Sequence, residues 1–343
     1  MGYGLSGRVF HAPFIAENSN FELAAIVTSN DARRTHAARE HRSARIYRNF
    51  EELESAGELL DLIVLAGPPD SHLDMARRSF ALGAAVVIDK PFVAHVEEAQ
   101  NLVDARPAGR PLMVFQNRRW DGDFLTIRSL IASGRLGEVF HFESNFEHWA
   151  PEATDGWKDQ LSTSEGGGVT YDLGSHLVDQ ALVLFGPASQ VSSRLQTVRA
   201  GGGNDDHAEI HLTHESGVVS RLLMSRVSHM QGPRFRVLGS KGSFISYGLD
   251  PQEPALADGA LPTDPEFGEV APANYGTLTE HTSAGPVTTR VPTERGDYAQ
   301  FYRRAALAVR GEGPEPVPSA EALAVVAILE RATTSLSPAG RVS

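Results

Sequence analysis

The chain has 343 residues, of which 41% are hydrophobic and 22% charged, enough to bury one or two substantial cores. A net charge of −12 leaves no basic excess, so nucleic acid and anionic membrane are disfavoured as partners. With no cysteine, disulfides, thiolate zinc sites and cysteine nucleophiles are excluded and a cytoplasmic location is expected; no run nears the roughly 18 apolar residues of a membrane span.

The chain opens MGYGLSG, which places Gly2, Gly4 and Gly7 in the spacing G-x-G-x-x-G. That spacing binds dinucleotides when it follows a strand and opens a helix. RVFHAPFIAEN supplies the helix, whose free N–H groups would face a pyrophosphate. Gly2, Gly4, Leu5, Ser6 and Gly7 are therefore read as the pyrophosphate turn, with Gly4 allowing the closest backbone approach. The strand that the motif needs would precede Met1. The chain as written is expected to leave a slot between two sheet strands, lined by unpaired backbone groups, and to bind cofactor weakly.

Strand and helix patterns then alternate. Residues 21–29, 61–67, 84–89 and 111–117 read as strands, with a short one at ARIY. The helical patterns between them are DARRTHAAREH, FEELESAG, SHLDMARRSFALG and HVEEAQNLVDA. This alternation predicts a doubly wound α/β domain with a parallel sheet over residues 1–117. Beyond it lie a helix at 123–134, an alternating run at 139–149, a helix at 169–186, and consecutive alternating runs. Residues 118–343 thus form an α+β domain on an open, mainly antiparallel sheet. Residues 250–274, rich in Pro, Gly and acidic residues, read as a long surface loop. Two helices, at 297–310 and 320–335, finish the chain, the last able to pack back on the first domain.

The end of the second expected strand selects the cofactor. NAD sites place an acid there for the ribose 2′-OH. Here the position is Ser29, and Arg33 and Arg34 follow, able to pair with a 2′-phosphate. NADP is the expected cofactor, with Asp31 keeping NAD open; the alternative is that Asn30 or Asp31 caps a helix and both arginines are solvated. AGPPDSH places Ala66, Pro68 and His72 at the carboxyl edge of the next strand, where ligands of such sheets bind. VVIDKPF places Lys90 on the same edge, where it would hold a substrate hydroxyl.

The second constellation is GGGVTYDLGSHLVDQ. Asp172 and His176 are four apart and share a helix face; Asp179 continues it, and Gly166, Gly167 and Gly168 leave the entrance unobstructed. A metal site is a rival reading without an obvious third ligand, and no metal is expected. With Lys90, the group reads as an alcohol dehydrogenase site. His176 would take the hydroxyl proton, Asp172 would orient or stabilise it, and Lys90 would polarise the oxygen. His207 and His211 on one face of a strand and His214 on the other read as solvated or interface residues.

GYGLSGRVFHAPF, DKP and GGGVTYDLGSHLVDQALVLFG, in this order, resemble the Gfo/Idh/MocA oxidoreductases. QNRRWDGDFLTI, HWAPE and GPRFRVLGSKGSFISYG are similar to the NADP-dependent inositol dehydrogenases of that family. The resemblance implies a Rossmann-type domain, an α+β domain whose sheet forms a homodimer or homotetramer, and a polyol or sugar substrate. It puts the catalytic lysine, aspartate and histidine on Lys90, Asp172 and His176. It adds Asn117, Arg119, Trp120 and Asp121 as cleft residues and Trp157 on the substrate side. Asp89 stands where the family usually has Glu. Other sugar oxidoreductases and a non-catalytic nucleotide sensor are the competing functions.

Overall fold

Apolar runs rich in Val and Ile, bounded by turn residues, become short strands in the first third of the chain. They are β1 (Ala25–Val27), β2 (Arg45–Tyr47), β3 (Leu62–Leu65), β4 (Ala85–Asp89) and β5 (Leu112–Phe115). Every residue of β4 is buried, as a central parallel strand requires. Helices Asp31–Glu40, Phe50–Ser55, His72–Ala81 and Val96–Ala105 alternate with them. The first two start on asparagine caps: Asn30 accepts from the Arg33 N–H at 3.0 Å and Asn49 from the Glu52 N–H at 2.8 Å. The structure, a computed structural model, describes residues 1–154 and 156–334.

The parallel sheet is in two pieces, β1-β2 and β3-β4-β5. Met1 and Gly2 bridge them at one end. The Met1 amino group donates to the Val64 carbonyl at 2.7 Å, and the Ala66 N–H donates to the Met1 carbonyl at 2.8 Å. On the other side the Gly2 N–H donates to the Val27 carbonyl at 2.9 Å. Burial pulls the Met1 amino group down to about 5. Alongside lies a cavity of about 250 Å³ lined by Ile15, Leu23, Ile26, Leu60 and Ile63 among others.

Contacts divide the chain at Asn117/Arg118 into two units. The first also takes Glu253–Phe267 and Tyr298–Leu323. Segment 250–274 is thus not simply a surface loop: Gln252–Ala257 is helical and Phe267 is buried against Phe14, their rings 6.3 Å apart.

The second unit is built on one open sheet. Its strands are β6 (Val139–Glu147), β7 (Ala188–Gln196), β8 (His207–His214), β9 (Val219–Ser225), β10 (Phe235–Gly239), β11 (Gly242–Ser246), β12 (Gly276–Thr282) and β13 (Gly285–Val291). The order is β13-β12-β11-β10-β6-β9-β8-β7, antiparallel except for the β6–β9 pair, so the sheet is mixed. Alternate residues fill its inner face: Phe142, Ile210, Leu222, Met224, Phe235 and Val237 are buried. Helix Gly174–Phe185 covers that face with Leu177, Val178 and Ala181. A Cβ on Gly174 would lie 3.3 Å from Met224 Cε, so glycine allows the close approach of helix to sheet. The outer face is charged, with Arg236 on Glu143 at 2.6 Å and Arg221 on Glu209 at 2.8 Å.

Candidate active site

The glycine turn is held by backbone geometry. Gly2 has φ +88°, and a Cβ there would lie 2.6 Å from the Ala66 carbonyl oxygen. A Cβ on Gly7 would lie 2.0 Å from the Gly2 carbonyl oxygen. Both positions therefore require glycine. Gly4 differs: its missing side chain would meet only the Arg33 guanidinium, at 3.5 Å. Bare backbone beside a guanidinium fits an anionic group, and residues 5–16 continue from it as helix, with Gly7–His11 π-wound. The turn thus fits the pyrophosphate-bearing cofactor that its spacing predicts.

Ser6 reaches down from this turn to donate to Asp89 Oδ2. The Lys90 N–H donates to Asp89 Oδ1 at 2.8 Å. His11 Nε2 lies 3.7 Å from the same carboxylate, and its Nδ1 lies 2.6 Å from the Tyr302 hydroxyl. Burial alone would raise the Asp89 carboxyl, yet His11, Ser6 and Lys90 bring it to about 2. Asp89 therefore ties the turn to the backbone of Lys90. Its sequence neighbourhood alone gave no sign of that role.

Arg33 is exposed, and Arg34 is ion-paired with Asp31. Asn30 does cap the helix, but this leaves Arg33 beside the turn. Ser29 is exposed at the end of the strand, and Leu5 is exposed on the turn. Ala66 packs against Gly2, and Pro68 starts the short turn Pro69–Ser71. His72 corrects the expected cofactor contact. It is 1% exposed, with Nδ1 2.9 Å from the Phe92 carbonyl and Nε2 3.1 Å from the Gly67 carbonyl. Burial holds its pKa below the usual value, and the ring sits as a strut between two loops.

In the second unit, Asp172 ends helix Gly168–Asp172 and His176 lies in the next, Gly174–Phe185. The single helix expected there is broken at Leu173. The His176 N–H accordingly donates three residues back, to the Leu173 carbonyl at 3.1 Å. Asp172 is 3% exposed and His176 4%. The Asp172 carboxylate is gripped by two cations, Arg226 Nη2 at 2.7 Å and Lys158 Nζ at 2.7 Å. Two cations in contact disfavour the rival reading of Asp172 as a metal ligand.

The glycine run has a different role from the one expected. A Cβ on Gly168, at φ +81°, would lie 2.1 Å from Asp205 Oδ1, and one on Gly167 would lie 2.0 Å from the Leu161 carbonyl oxygen. The glycines make room for protein groups and do not keep an entrance clear. Asp205 accepts from the Thr170 N–H at 2.8 Å and its hydroxyl at 2.7 Å, so the helix start is closed by a carboxylate.

The residues from the NRRWD stretch prove to be buried supports. Arg119 makes a bidentate pair with Asp179, at 2.8 and 2.6 Å, and Asp121 lies 3.4 Å from Arg118. Trp120 is 6% exposed, and its carbonyl accepts from Gln252 and Asp297. Asn117 is 6% exposed at the start of the turn Asn117–Trp120. Arg119 and Asp121, expected as cleft residues, are thus engaged by protein charges. Trp157 opens helix Trp157–Gln160, and its side chain lies outside the described residues. Of the other histidines, His211 pairs with Glu209 on the open face, while His214 is buried and bonds the Gly186 carbonyl at 2.7 Å.

Residues 1–115 match the model of the oxidoreductase family with an NAD-binding Rossmann fold, and residues 124–245 match the GFO/IDH/MocA C-terminal domain. The chain belongs to the Gfo/Idh/MocA oxidoreductase family. It is 35% identical over 331 residues to the uncharacterized oxidoreductase YdgJ of Escherichia coli, covering 96% of this chain and 93% of that one. It is 33% identical over 337 residues to the scyllo-inositol 2-dehydrogenase (NADP(+)) IolW of Bacillus subtilis, covering 98% and 92%. Among solved structures, an oxidoreductase from Bacillus cereus superposes with a TM-score of 0.86 at 28% identity, covering 99% and 96%. As a Gfo/Idh/MocA member the chain is an oxidoreductase.

Proposed function

We propose that this Gfo/Idh/MocA protein is an NADP-dependent dehydrogenase that oxidises a secondary alcohol of a cyclic polyol or sugar, with inositols the first class to test. Arg33 beside the bare backbone of Gly4, with neutral Ser29 at the strand end, is the observation that carries the cofactor half. Similarity to IolW over nearly the whole chain supports the substrate half. When bound, NADP supplies the hydride acceptor. Gly2, Gly4, Leu5, Ser6 and Gly7 hold its pyrophosphate, and Arg33 pairs with its 2′-phosphate. Lys90 polarises the substrate hydroxyl, His176 takes its proton, and Asp172 provides the fixed negative charge that stabilises the protonated imidazole. A second copy of the chain pairs on the outer face of the sheet, where Glu143, Glu209, Arg221 and Arg236 offer both charges, making a homodimer or homotetramer.

The test is NADPH formation with a panel of inositols and sugars. Lys90→Ala and His176→Ala should each lower turnover by about 10²–10⁴-fold with cofactor affinity kept. Arg33→Ala should weaken NADP by about tenfold or more while leaving NAD unchanged. Wild-type rates in both catalytic variants, or equal losses of NADP and NAD in the third, overturn these roles.

A further inference from the structure

The Asp172 carboxylate terminates a chain of alternating charges within the second unit. Asp206 accepts from the Arg199 N–H at 2.8 Å and from its Nε at 3.2 Å. Arg199 Nη2 donates to Asp159 Oδ1 at 2.7 Å, and Arg226 Nη1 donates to the same oxygen at 2.8 Å. Arg226 Nη2 then donates to Asp172 Oδ2 at 2.7 Å, and Lys158 Nζ lies 2.7 Å from Asp172 Oδ1. Asp206, Arg199, Asp159, Arg226 and Asp172 are each no more than 8% exposed. The Lys158 side chain is 40% exposed, so the chain of charges ends at solvent on the lysine.

We infer that Arg226 and Lys158 are positioning residues of the reaction, a two-cation clamp that keeps Asp172 ionised and fixed in orientation. This rests on the proposed role of Asp172. Each cation grips a different oxygen of the carboxylate, so neither oxygen rotates to a new partner without breaking a charged hydrogen bond. A clamped carboxylate does not accept the substrate proton; that step is left to His176, and Asp172 contributes a constant field. Arg226 is itself held by Asp159 Oδ1, which also accepts from Arg199 while Thr154 holds Oδ2, so the guanidinium is tied to one carboxylate at each end. Asp159 shows the effect of such pairing: burial would raise it, but Arg199, Thr154 and Arg226 hold it at about 2. Lys158 is the exposed member of the clamp and the one that substrate or salt can reach.

The charged groups around Asp172 are Lys158 on helix Trp157–Gln160, Arg226 after β9, His176 on the following helix, and Asp159, Asp205 and Asp206 beyond them. Removing Lys158 therefore takes away one positive charge without opening the buried chain. The experiment compares wild type with Lys158→Met, Lys158→Arg, Arg226→Lys and Arg226→Gln, using two readouts. The first, carboxyl ¹³C NMR of Asp172, needs no turnover and stands even if every polyol fails as substrate. Its ionisation midpoint should rise by about one pH unit or more in Lys158→Met and stay at the wild-type value in Lys158→Arg. The second is the pH profile of kcat on whichever polyol turns over. Its acid limb should move in Lys158→Met and return in Lys158→Arg, with kcat falling more than KM rises. Arg226→Lys, which keeps the charge and loses the fork, should lower kcat about tenfold without shifting the Asp172 midpoint. An unmoved midpoint in both Lys158→Met and Arg226→Gln, or wild-type kcat in all four variants, overturns the clamp. Absence of turnover in wild type with a shifted midpoint overturns the proposed substrate class and leaves the clamp standing.

Discussion

The glycine turn of the first unit and the Asp172 cluster of the second are built by opposite means. The turn is shaped by backbone: positive φ at Gly2, a carbonyl 2.0 Å from where a Gly7 Cβ would sit, a hydrogen bond from the Met1 amino group to the Val64 carbonyl and one from the Ala66 N–H to the Met1 carbonyl. The Asp172 cluster is shaped by side-chain charge, with five buried ionised groups passing from Asp206 to Asp172. Backbone packed this closely leaves no room for a side chain, and a change there acts sterically. A charge chain depends on residues far apart, and a change there leaves a buried partner unpaired. The two sites should therefore fail differently when altered.

The largest effect separates them most clearly. Arg226→Gln leaves Asp159 and Asp172 each short of a cation, and breaking such a buried pair costs about 3–5 kcal/mol. Denaturant unfolding should show that loss, and nucleotide binding to the folded fraction should stay within a few fold of wild type. The steric counterpart is Gly7→Ala. The new Cβ overlaps the Gly2 carbonyl, so the turn must shift at a cost of about 1–3 kcal/mol. Here NADP affinity, measured by calorimetry, should fall at least tenfold; a Gly7→Ala protein that binds NADP normally would break the comparison.

The acid response sharpens it further. Asp123 and Asp250 in the second unit are raised to about 6, burial being the main cause in both, with repulsion from Asp121 adding for Asp123 and from Asp123 for Asp250. An unfolded carboxyl titrates near 4, so the folded state binds more protons between about pH 4 and 6 and stability falls as pH rises through that window. Asp89 and Asp159, at about 2, work in the opposite sense: their contribution is present above about pH 4 and is lost as pH falls toward 2. Asp123→Asn should reduce the loss of stability between pH 4 and 6 by about 1–3 kcal/mol, read from urea midpoints across that range. A variant with the wild-type slope in that window would show that Asp123 titrates normally. The smallest effect belongs to the surface. Arg135→Ala removes an exposed pair with Glu280 and should cost no more than about 1 kcal/mol, less at high salt.

Legibility followed the same division. The alternation of apolar runs and helical patterns located β1 to β5 within a few residues, because a buried parallel strand needs its own continuous apolar run. The period-two runs located the strands of the second unit for a similar reason, although periodicity could not reveal that β6 and β9 run parallel. The glycine turn was readable because G-x-G-x-x-G describes local conformations. Lys90, Asp172 and His176 were singled out by position and spacing, and the spacing concealed a helix break at Leu173. Arg119 and Asp121 were expected as cleft residues, and which groups engage them is set by three-dimensional neighbours, Asp179 and Arg118.

By itself, then, the sequence determined the element order and the glycine turn, because each depends mainly on residues within a few positions of one another. Tertiary structure alone decided which charges meet. Arg226 lies 54 residues from Asp172, and only sheet order and helix placement bring their side chains to 2.7 Å. Ser6 and Asp89 meet across 83 residues in the same way. Pairing at such distances is set by the low polarity of the interior, where a buried charge must find a partner wherever the fold offers one, and no local pattern records which partner that is.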